Sequence, residues 1–167
     1  MNTSDCILLA ILLAFSAYFS ASETALSTVN KIRLKSYADN GSKKAKQALD
    51  MAENFDRTLS TILVGNNVVN TASAALMTTV TTALFGATGA VIATAVTTVL
   101  VLIFGEILPK TYAKENSEKL ALTIAAPMHF LIVLLTPVVS IFQLLQRLVV
   151  RLCSKGDKSP SVTEEEL

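Results

Sequence analysis

The sequence predicts an all-α membrane protein with three transmembrane helices, a cytoplasmic helical pair after the first, and a Pro-kinked juxtamembrane belt helix. Apolar residues make up 51% of the 167 residues and charged residues only 16%, whereas soluble domains contain about 25% charged residues. The 14 Lys and Arg side chains all lie within 31–57, 110–119 and 147–158. A soluble helical domain distributes its lysines over every element, so this clustering favours a membrane protein.

The first apolar run is predicted to be a transmembrane helix at about 5–28. Residues 6–28 would extend about 35 Å as a helix, which is enough to cross a bilayer. The run is too long for a signal-peptide core and has no basic residue before it, so we expect a retained helix. The following segment, 29–58, has seven basic residues. Its helical pattern predicts one or two short cytoplasmic helices, broken at "DNGS".

Two further spans are predicted at about 59–85 and 89–108. Only the uncharged stretch "FGATG" separates the two runs, which leaves room for a tight turn and no more. The two runs are therefore expected to form an antiparallel helical hairpin.

The fourth apolar run, 120–146, does not fit a simple span. Basic residues flank both of its ends, and Pro127 and Pro137 divide it. The positive-inside rule would place one basic flank of a span on the wrong side, and each proline favours a kink. We expect a broken helix at 117–152 that lies along the cytoplasmic interface or dips in and returns. An ordinary fourth span is the alternative.

These segments predict a membrane domain at 1–152 with its N-terminus outside and its C-terminus in the cytoplasm. The tail, 153–167, is polar and is expected to be the start of a disordered linker.

Polar residues within the spans are the candidates for function, because an unsatisfied polar group in hydrocarbon costs several kcal/mol. Ser16 and Ser20 lie four residues apart on one face of the first helix. Asn66 and Asn70 have the same spacing on the second. Each has an alternative role: a membrane serine commonly bonds its own backbone, and an asparagine pair can join two helices.

The stretch "GEILP" ends the third predicted span. Pro109 has no N–H, so in an α-helix the Gly105 carbonyl, four residues earlier, would lose its partner. Glu106 adds a carboxylate. Together with serine hydroxyls and the Asn70 amide oxygen, these groups form a set of hard oxygen donors, which favours Mg²⁺, Ca²⁺ or Na⁺. Alternatively, Glu106 pairs with Lys110, four residues on.

Several other functions receive no support from the sequence. A net charge of +1 gives no indication of nucleic-acid binding, and Cys6 and Cys153 lack metal-ligand spacing, so we expect neither a disulfide nor a zinc site. There is no HExxH or GxSxG motif, and His129 is the single histidine. We therefore expect no enzymatic activity. Glu23 is either a second ionisable site or a residue facing the cytoplasmic vestibule.

Three motifs resemble the transmembrane domain of the CNNM/CorC magnesium transporters. They are "FSASETALS", "LVGNNVVNT" and "FGEILPKTYA", in the family's order and at the expected helix positions. The resemblance covers residues 5–152 and implies the same topology as the one argued above. It also implies a homodimer in the cell (inner) membrane that exports Mg²⁺, driven by Na⁺ entry. ATP-binding cytoplasmic CBS domains usually follow in this family, but the sequence stops where they would begin.

The resemblance also implies a metal site. The matching positions are Ser16, Ser20, Asn70, Gly105 and Glu106, with Asn66 and Pro109 as possible support. Among the hydroxyls of the first helix, Ser20 is the first choice and Ser16 the second; the fallbacks are Ser22, Thr24 and Ser27. The alternative to transport is an ion-binding sensor or scaffold that moves no ion.

Overall fold

The computed structural model describes residues 3–153, and for 142, 143 and 145–153 it describes the backbone only. The helices in chain order are α1 (Thr3–Thr28), α2 (Lys31–Asp39), α3 (Lys43–Glu53), α4 (Phe55–Phe85), α5 (Gly89–Leu100), α6 (Leu108–Glu115) and α7 (Ser117–Cys153). A 3₁₀ turn (Gly86–Thr88) joins α4 to α5, and a π-helical segment (Val101–Ile107) joins α5 to α6. No strand occurs among the described residues, so the all-α prediction is confirmed. Beyond Cys153, the predicted linker lies outside the described residues.

Three helical stretches are long and apolar enough to cross a membrane: Thr3–Thr28, Phe55–Glu115 and Ser117–Ile141. The second stretch contains both arms of the predicted hairpin, α4 and α5. Large apolar side chains remain exposed along these helices, among them Ile7, Phe15, Leu63, Val91 and Val99. Exposed apolar faces of this extent suit contact with lipid rather than water, so the chain is a multi-pass membrane protein.

The hairpin depends on two glycines at its closed end. Gly86 has a φ of +63°, a left-handed conformation that glycine adopts without a steric penalty. A Cβ on Gly89 would collide with the backbone of Thr81 and Thr82. The helices α4 and α5 can therefore approach closely immediately after the turn, which fixes their antiparallel arrangement.

The segment between α1 and α4 forms the predicted helical pair, α2 and α3. The side chain of Asn30 caps α2 by accepting from the backbone N–H of Ile32 at 3.0 Å. Ser42 caps α3 by accepting from the N–H of Ala45 at 3.3 Å. Between the helices the chain turns at Gly41, which has a φ of +90°. The break therefore falls within "DNGS", as predicted.

Helix α7 is continuous through Pro127 and Pro137, so the prediction of a broken helix at 117–152 is wrong. A proline removes only one backbone hydrogen bond, and the helix continues past each one. Near its start, Glu118 forms an ion pair with Arg33 at 3.0 Å. Farther along, Thr136 accepts a hydrogen bond from Arg57 at 3.3 Å. Glu118 and Thr136 are separated by roughly 27 Å along the helix axis, nearly the thickness of the hydrocarbon core. Their partners, Arg33 and Arg57, lie close to the end of α1 and the start of α4. Ser117–Ile141 is itself long and apolar enough to cross a membrane, so the belt and its alternative, a fourth span, stay predictions.

The apolar core lies at this same end of the molecule. It joins the end of α1 to α3, the start of α4, α6 and the first half of α7, and its buried members include Leu26, Met51, Ile62, Ala113 and Met128. Most of the two hairpin arms lies beyond this core. The polar residues in the middle of the spans therefore depend on direct contacts between α1, α4 and the π-helical segment.

Candidate functional site: a cluster of polar oxygens between three helices

Ser16 lies at the centre of the polar cluster. It is fully buried, and its hydroxyl donates to α4 rather than to its own backbone. The Oγ lies 2.7 Å from Oδ1 of Asn70 and 3.2 Å from Oδ1 of Asn66. The four-residue spacing of the two asparagines places both amides on the face of α4 that meets α1. Three oxygen atoms therefore converge at the contact between these helices.

Gly105 brings the π-helical segment against the same serine. A Cβ on Gly105 would lie 2.7 Å from the Oγ of Ser16 and 3.2 Å from its Cβ, closer than unbonded atoms normally approach. Only glycine allows this contact without displacing Ser16. Of the predicted site residues, Ser16, Asn70 and Gly105 are thus brought together, and Asn66 joins them through its bond to Ser16.

The backbone around Gly105 differs from the regular α-helix that the sequence argument assumed. The N–H of Leu108 donates to the carbonyl of Ile103, five residues earlier. Pro109 then occupies the first turn of α6, where its missing N–H costs least. Pro109 lies four residues after Gly105 and five after Phe104. With α-helical bonding its missing N–H would leave the Gly105 carbonyl without a partner, whereas with five-residue bonding it would leave that of Phe104 without one. Short π-helical turns are frequent at functional sites.

Glu106 follows Gly105 and is half-buried. It makes no hydrogen bond or ion pair with any residue that the structure describes. The alternative partner, Lys110, instead pairs with Glu23, whose Oε2 lies 3.4 Å from its Nζ. That contact leaves the carboxylate of Glu106 without a partner among the described residues, and the two interpretations of Glu23 stay predictions.

Ser20 lies one turn beyond Ser16 and is 1% exposed. Its Oγ has no hydrogen-bond partner among the described residues. An unsatisfied buried hydroxyl costs about 1–3 kcal/mol, and it is unusual for a serine in a helix to leave its own carbonyls unused. The Ser20 oxygen is therefore available to a ligand.

Two of the three fallback hydroxyls of α1 donate to carbonyls of their own helix. Ser22 donates to the carbonyl of Tyr18 at 2.7 Å, and Ser27 donates to that of Thr24 at 3.1 Å. Ser27 is also exposed, and no hydrogen bond joins Thr24 to the cluster among the described residues. Nothing in their geometry brings these three residues to the asparagines.

The chemistry of the cluster is that of neutral oxygens with one nearby carboxylate. No three His, Cys, Asp or Glu side chains in the described part of the chain are grouped closely enough to hold a metal ion. A cation here would therefore depend on hydroxyl and amide oxygens and on Glu106. Such donors suit hard cations such as Mg²⁺ and Na⁺.

Sequence reasoning missed two features. One is the π-helical segment, for which the proline four residues after Gly105 was the available signal. The other is a threonine-lined groove between α4 and α5, which includes Asn70 and the buried Thr97. The threonine bias of this region was visible in the sequence, but it indicated close helix packing equally well.

Comparison with known proteins agrees with this architecture. Residues 7–167 match the family described as CNNM, cyclin M transmembrane N-terminal domain. The UPF0053 inner membrane protein YfjD of Escherichia coli (strain K12) is 40% identical over 159 residues, which cover 91% of this chain and 36% of that protein. A chloroplastic DUF21 domain-containing protein of Arabidopsis thaliana is 35% identical over 162 residues, or 96% of this chain and 25% of that protein.

A more distant relative has a functional name. The polyamine export protein of Escherichia coli (strain K12) is 28% identical over 173 residues, which cover 93% of this chain and 37% of that protein. The chain thus spans about a third or less of the length of these relatives. Because the family match covers nearly the whole sequence, the resemblance seen in the three motifs is confirmed: this chain belongs to the CNNM family of membrane proteins.

Proposed function

We propose that this chain is the membrane domain of a magnesium transporter, which exports Mg²⁺ across the inner membrane in exchange for Na⁺. One observation carries the proposal: the Ser16 hydroxyl, the Asn66 and Asn70 amide oxygens and Gly105 meet in the middle of the spans. Glu106 follows this cluster and has no partner among the residues that the structure describes. Transmembrane carboxylates are costly and usually mark ion pathways.

In this mechanism Glu106 supplies the negative charge that draws a divalent cation into the spans. The oxygens of Ser16, Ser20 and Asn70, with the Gly105 carbonyl, complete the ligand set, and Asn66 and Pro109 support it. Mg²⁺ gives up its water reluctantly and usually retains part of its shell. A single carboxylate among neutral donors suits a transported ion, which must bind and then leave.

The proposed topology has the N-terminus outside and the C-terminus in the cytoplasm. The ion pairs Glu23–Lys110 and Arg33–Glu118 gather at the end where α1 finishes and α4 begins. The hairpin turn at the opposite end has no charged residue. The positive-inside rule assigns the basic end to the cytoplasm. We propose a homodimer within the bilayer; in the whole protein, ATP-binding CBS domains would follow.

Flux measurements test the proposal. The chain is reconstituted into vesicles that contain a Mg²⁺-sensitive dye, and a Na⁺ gradient is imposed across the membrane. We expect Na⁺-dependent Mg²⁺ movement that Glu106→Gln reduces to the level of empty vesicles. Mg²⁺ binding without flux in the unaltered chain would instead favour the alternative, an ion-binding sensor or scaffold.

Polyamines are the alternative cargo, because one relative is named as a polyamine exporter. The same vesicles distinguish the two cargoes when external spermidine replaces Mg²⁺. The proposal predicts that spermidine neither crosses the membrane nor competes with Mg²⁺. Spermidine flux that depends on Glu106 would reassign the cargo to organic cations.

A further inference from the structure

A contact between Phe19 and Gly65 lies directly beside the polar cluster. A Cβ on Gly65 would overlap the Cζ of Phe19 and lie 2.6 and 2.9 Å from its two Cε atoms. The tip of the ring therefore lies against the backbone of α4, in the space that a side chain would otherwise fill. Phe19 is 4% exposed and Gly65 is also buried, so the surrounding residues enclose this contact.

Helix geometry places the contact at the level of the cluster. Phe19 lies three residues after Ser16 and therefore shares its face of α1. Gly65 immediately precedes Asn66 in α4. The two helices thus meet through the ring on the glycine and, about one turn away, through the oxygens of Ser16, Asn66 and Asn70.

The ring is also held from a second side. Tyr18 packs edge-on against it, with the ring centroids 5.7 Å apart and an angle of 70° between the ring planes. Phe19 belongs in addition to the apolar core at the end of α1. Because protein interiors are closely packed and transmit strain, a ring enclosed in this way resists displacement. Its reach therefore sets how closely α1 and α4 approach at the cluster.

The resulting distances between oxygen atoms suit a small cation. The Oγ of Ser16 lies 2.7 Å from Oδ1 of Asn70 and 3.2 Å from Oδ1 of Asn66. Mg²⁺ is bound octahedrally at about 2.0–2.1 Å, which places neighbouring ligands roughly 2.9 Å apart. Ca²⁺ takes longer bonds of about 2.3–2.6 Å and more ligands. A closely spaced cluster therefore favours the smaller ion, and a wider one would favour the larger.

We propose that Phe19 and Gly65 are positioning residues, which hold α1 and α4 at the spacing that selects Mg²⁺ over Ca²⁺. Neither side chain offers an oxygen to an ion, so both act through the oxygens of the cluster. The inference rests on the proposed function, because it concerns the selectivity of the same site.

Gly65→Ala tests the proposal through the ratio of Mg²⁺ to Ca²⁺ affinity, measured by calorimetry on the purified chain. The added Cβ must push the ring, and α1 with it, away from α4. We expect the ratio to fall about tenfold, mainly through weaker Mg²⁺ binding. Phe19→Leu/Gly65→Ala should return the ratio to within about threefold of the unaltered chain, because the shorter side chain leaves room for the Cβ.

Gly89→Ala is the matched control. Its Cβ would collide with the backbone of Thr81 and Thr82, and Thr81 lies roughly 16 Å from Asn70 along α4. This variant should lower the melting temperature and leave the ratio of affinities unchanged, because the overpacking is remote from the cluster. If Gly65→Ala behaved in the same way, its role would be structural only and the proposal would be overturned.

Phe19→Leu keeps the test independent of the folding of Gly65→Ala. Without the tip of the ring, the two helices are no longer held at a fixed distance, so the ratio should fall about threefold. Phe15→Leu, at an exposed position of α1, should leave the ratio unchanged. An unaltered ratio in Phe19→Leu would overturn the proposal by itself.

Glu106→Gln separates this inference from the proposed function. Mg²⁺ binding that survives in Glu106→Gln would contradict the proposed function alone, because the ratio still reports the spacing of the neutral oxygens. Tighter binding of Ca²⁺ than of Mg²⁺ by the unaltered chain would overturn the inference alone. Binding of neither ion by the unaltered chain would contradict both.

Discussion

The middle of α1 and its last two turns use the same type of residue in opposite ways. In the last turns, Ser22, Ser27 and Thr28 all donate to carbonyls of their own helix. In the middle, Ser16 donates to two asparagines of α4, and the Ser20 hydroxyl has no described partner. A membrane hydroxyl satisfies itself locally by default, so a departure from that default marks the place where the helices share a polar site.

Gly105→Ala should have the largest effect on the middle of α1, although it removes no donor. The added Cβ would lie 2.7 Å from the Oγ of Ser16, so the serine must rotate or the π-helical segment must retreat. Overpacking of this kind costs about 1–3 kcal/mol. We expect a lower melting temperature in detergent and a loss of Mg²⁺ binding, as measured by thermal denaturation and calorimetry.

The double variant Ser16→Ala/Gly105→Ala provides the control. Removing the Oγ relieves the collision, so the melting temperature should partly recover while Mg²⁺ binding stays impaired. Strictly additive losses of stability would contradict direct contact between these two residues.

Asn70→Ala should have the next largest effect, because it removes the shorter of the two bonds to Ser16. Interhelical hydrogen bonds in membranes contribute about 0.6 kcal/mol on average, so stability should change little. The lost ligand should weaken Mg²⁺ binding about tenfold or more. Asn67→Ala, on an exposed neighbouring position, is the matched control. Equal Mg²⁺ affinity in both variants would assign Asn70 a purely structural role.

Ser20→Ala and Ser22→Ala test the comparison within α1 directly. The buried Ser20 oxygen has no hydrogen-bond partner in the described part of the chain, whereas the Ser22 hydroxyl donates to the carbonyl of Tyr18. We expect Ser20→Ala to weaken Mg²⁺ binding several-fold, by about 1 kcal/mol, and to leave stability equal or higher. Ser22→Ala should leave the affinity unchanged. The reverse ranking in calorimetry would transfer the ligand role to the last turns of α1.

Lys110→Met should have the smallest effect. The pair between Lys110 and Glu23 is partly exposed, and such pairs contribute about 0.2–1 kcal/mol. The melting temperature should fall only slightly, and Mg²⁺ affinity should change less than about threefold. A large change in affinity would instead indicate that Lys110 acts on Glu106, as the alternative interpretation of the sequence held.

The architecture was predictable because it follows from charge placement and helix length. The clustered Lys and Arg residues, the short "FGATG" turn and the break at "DNGS" predicted the hairpin and the helical pair. Four-residue spacing placed Ser16 and Ser20 on one face of α1, and Asn66 and Asn70 on one face of α4. These patterns are local, and helix geometry alone converts them into shared faces.

The details of the site were harder to predict from the sequence. Helix periodicity assumes i,i+4 bonding, so it gave no indication of the π-helical segment in which Leu108 bonds Ile103. The ion pair between Glu23 and Lys110 joins residues from two distant helices, which no local pattern predicts. Whether Ser16 bonds its own backbone or α4 depends on how closely Gly105 lets the segments pack, and that is a property of the assembled fold.

Mg²⁺ binding to the purified chain, measured by calorimetry with and without Glu106→Gln, tests the central claim most directly. Glu115→Gln, an exposed carboxylate at the end of α6, is the matched control. We expect Mg²⁺ binding to disappear in Glu106→Gln and to persist in Glu115→Gln, and we expect both variants to melt as the unaltered chain does. Equal Mg²⁺ binding in all three proteins would contradict the account and leave Glu106 with a structural role.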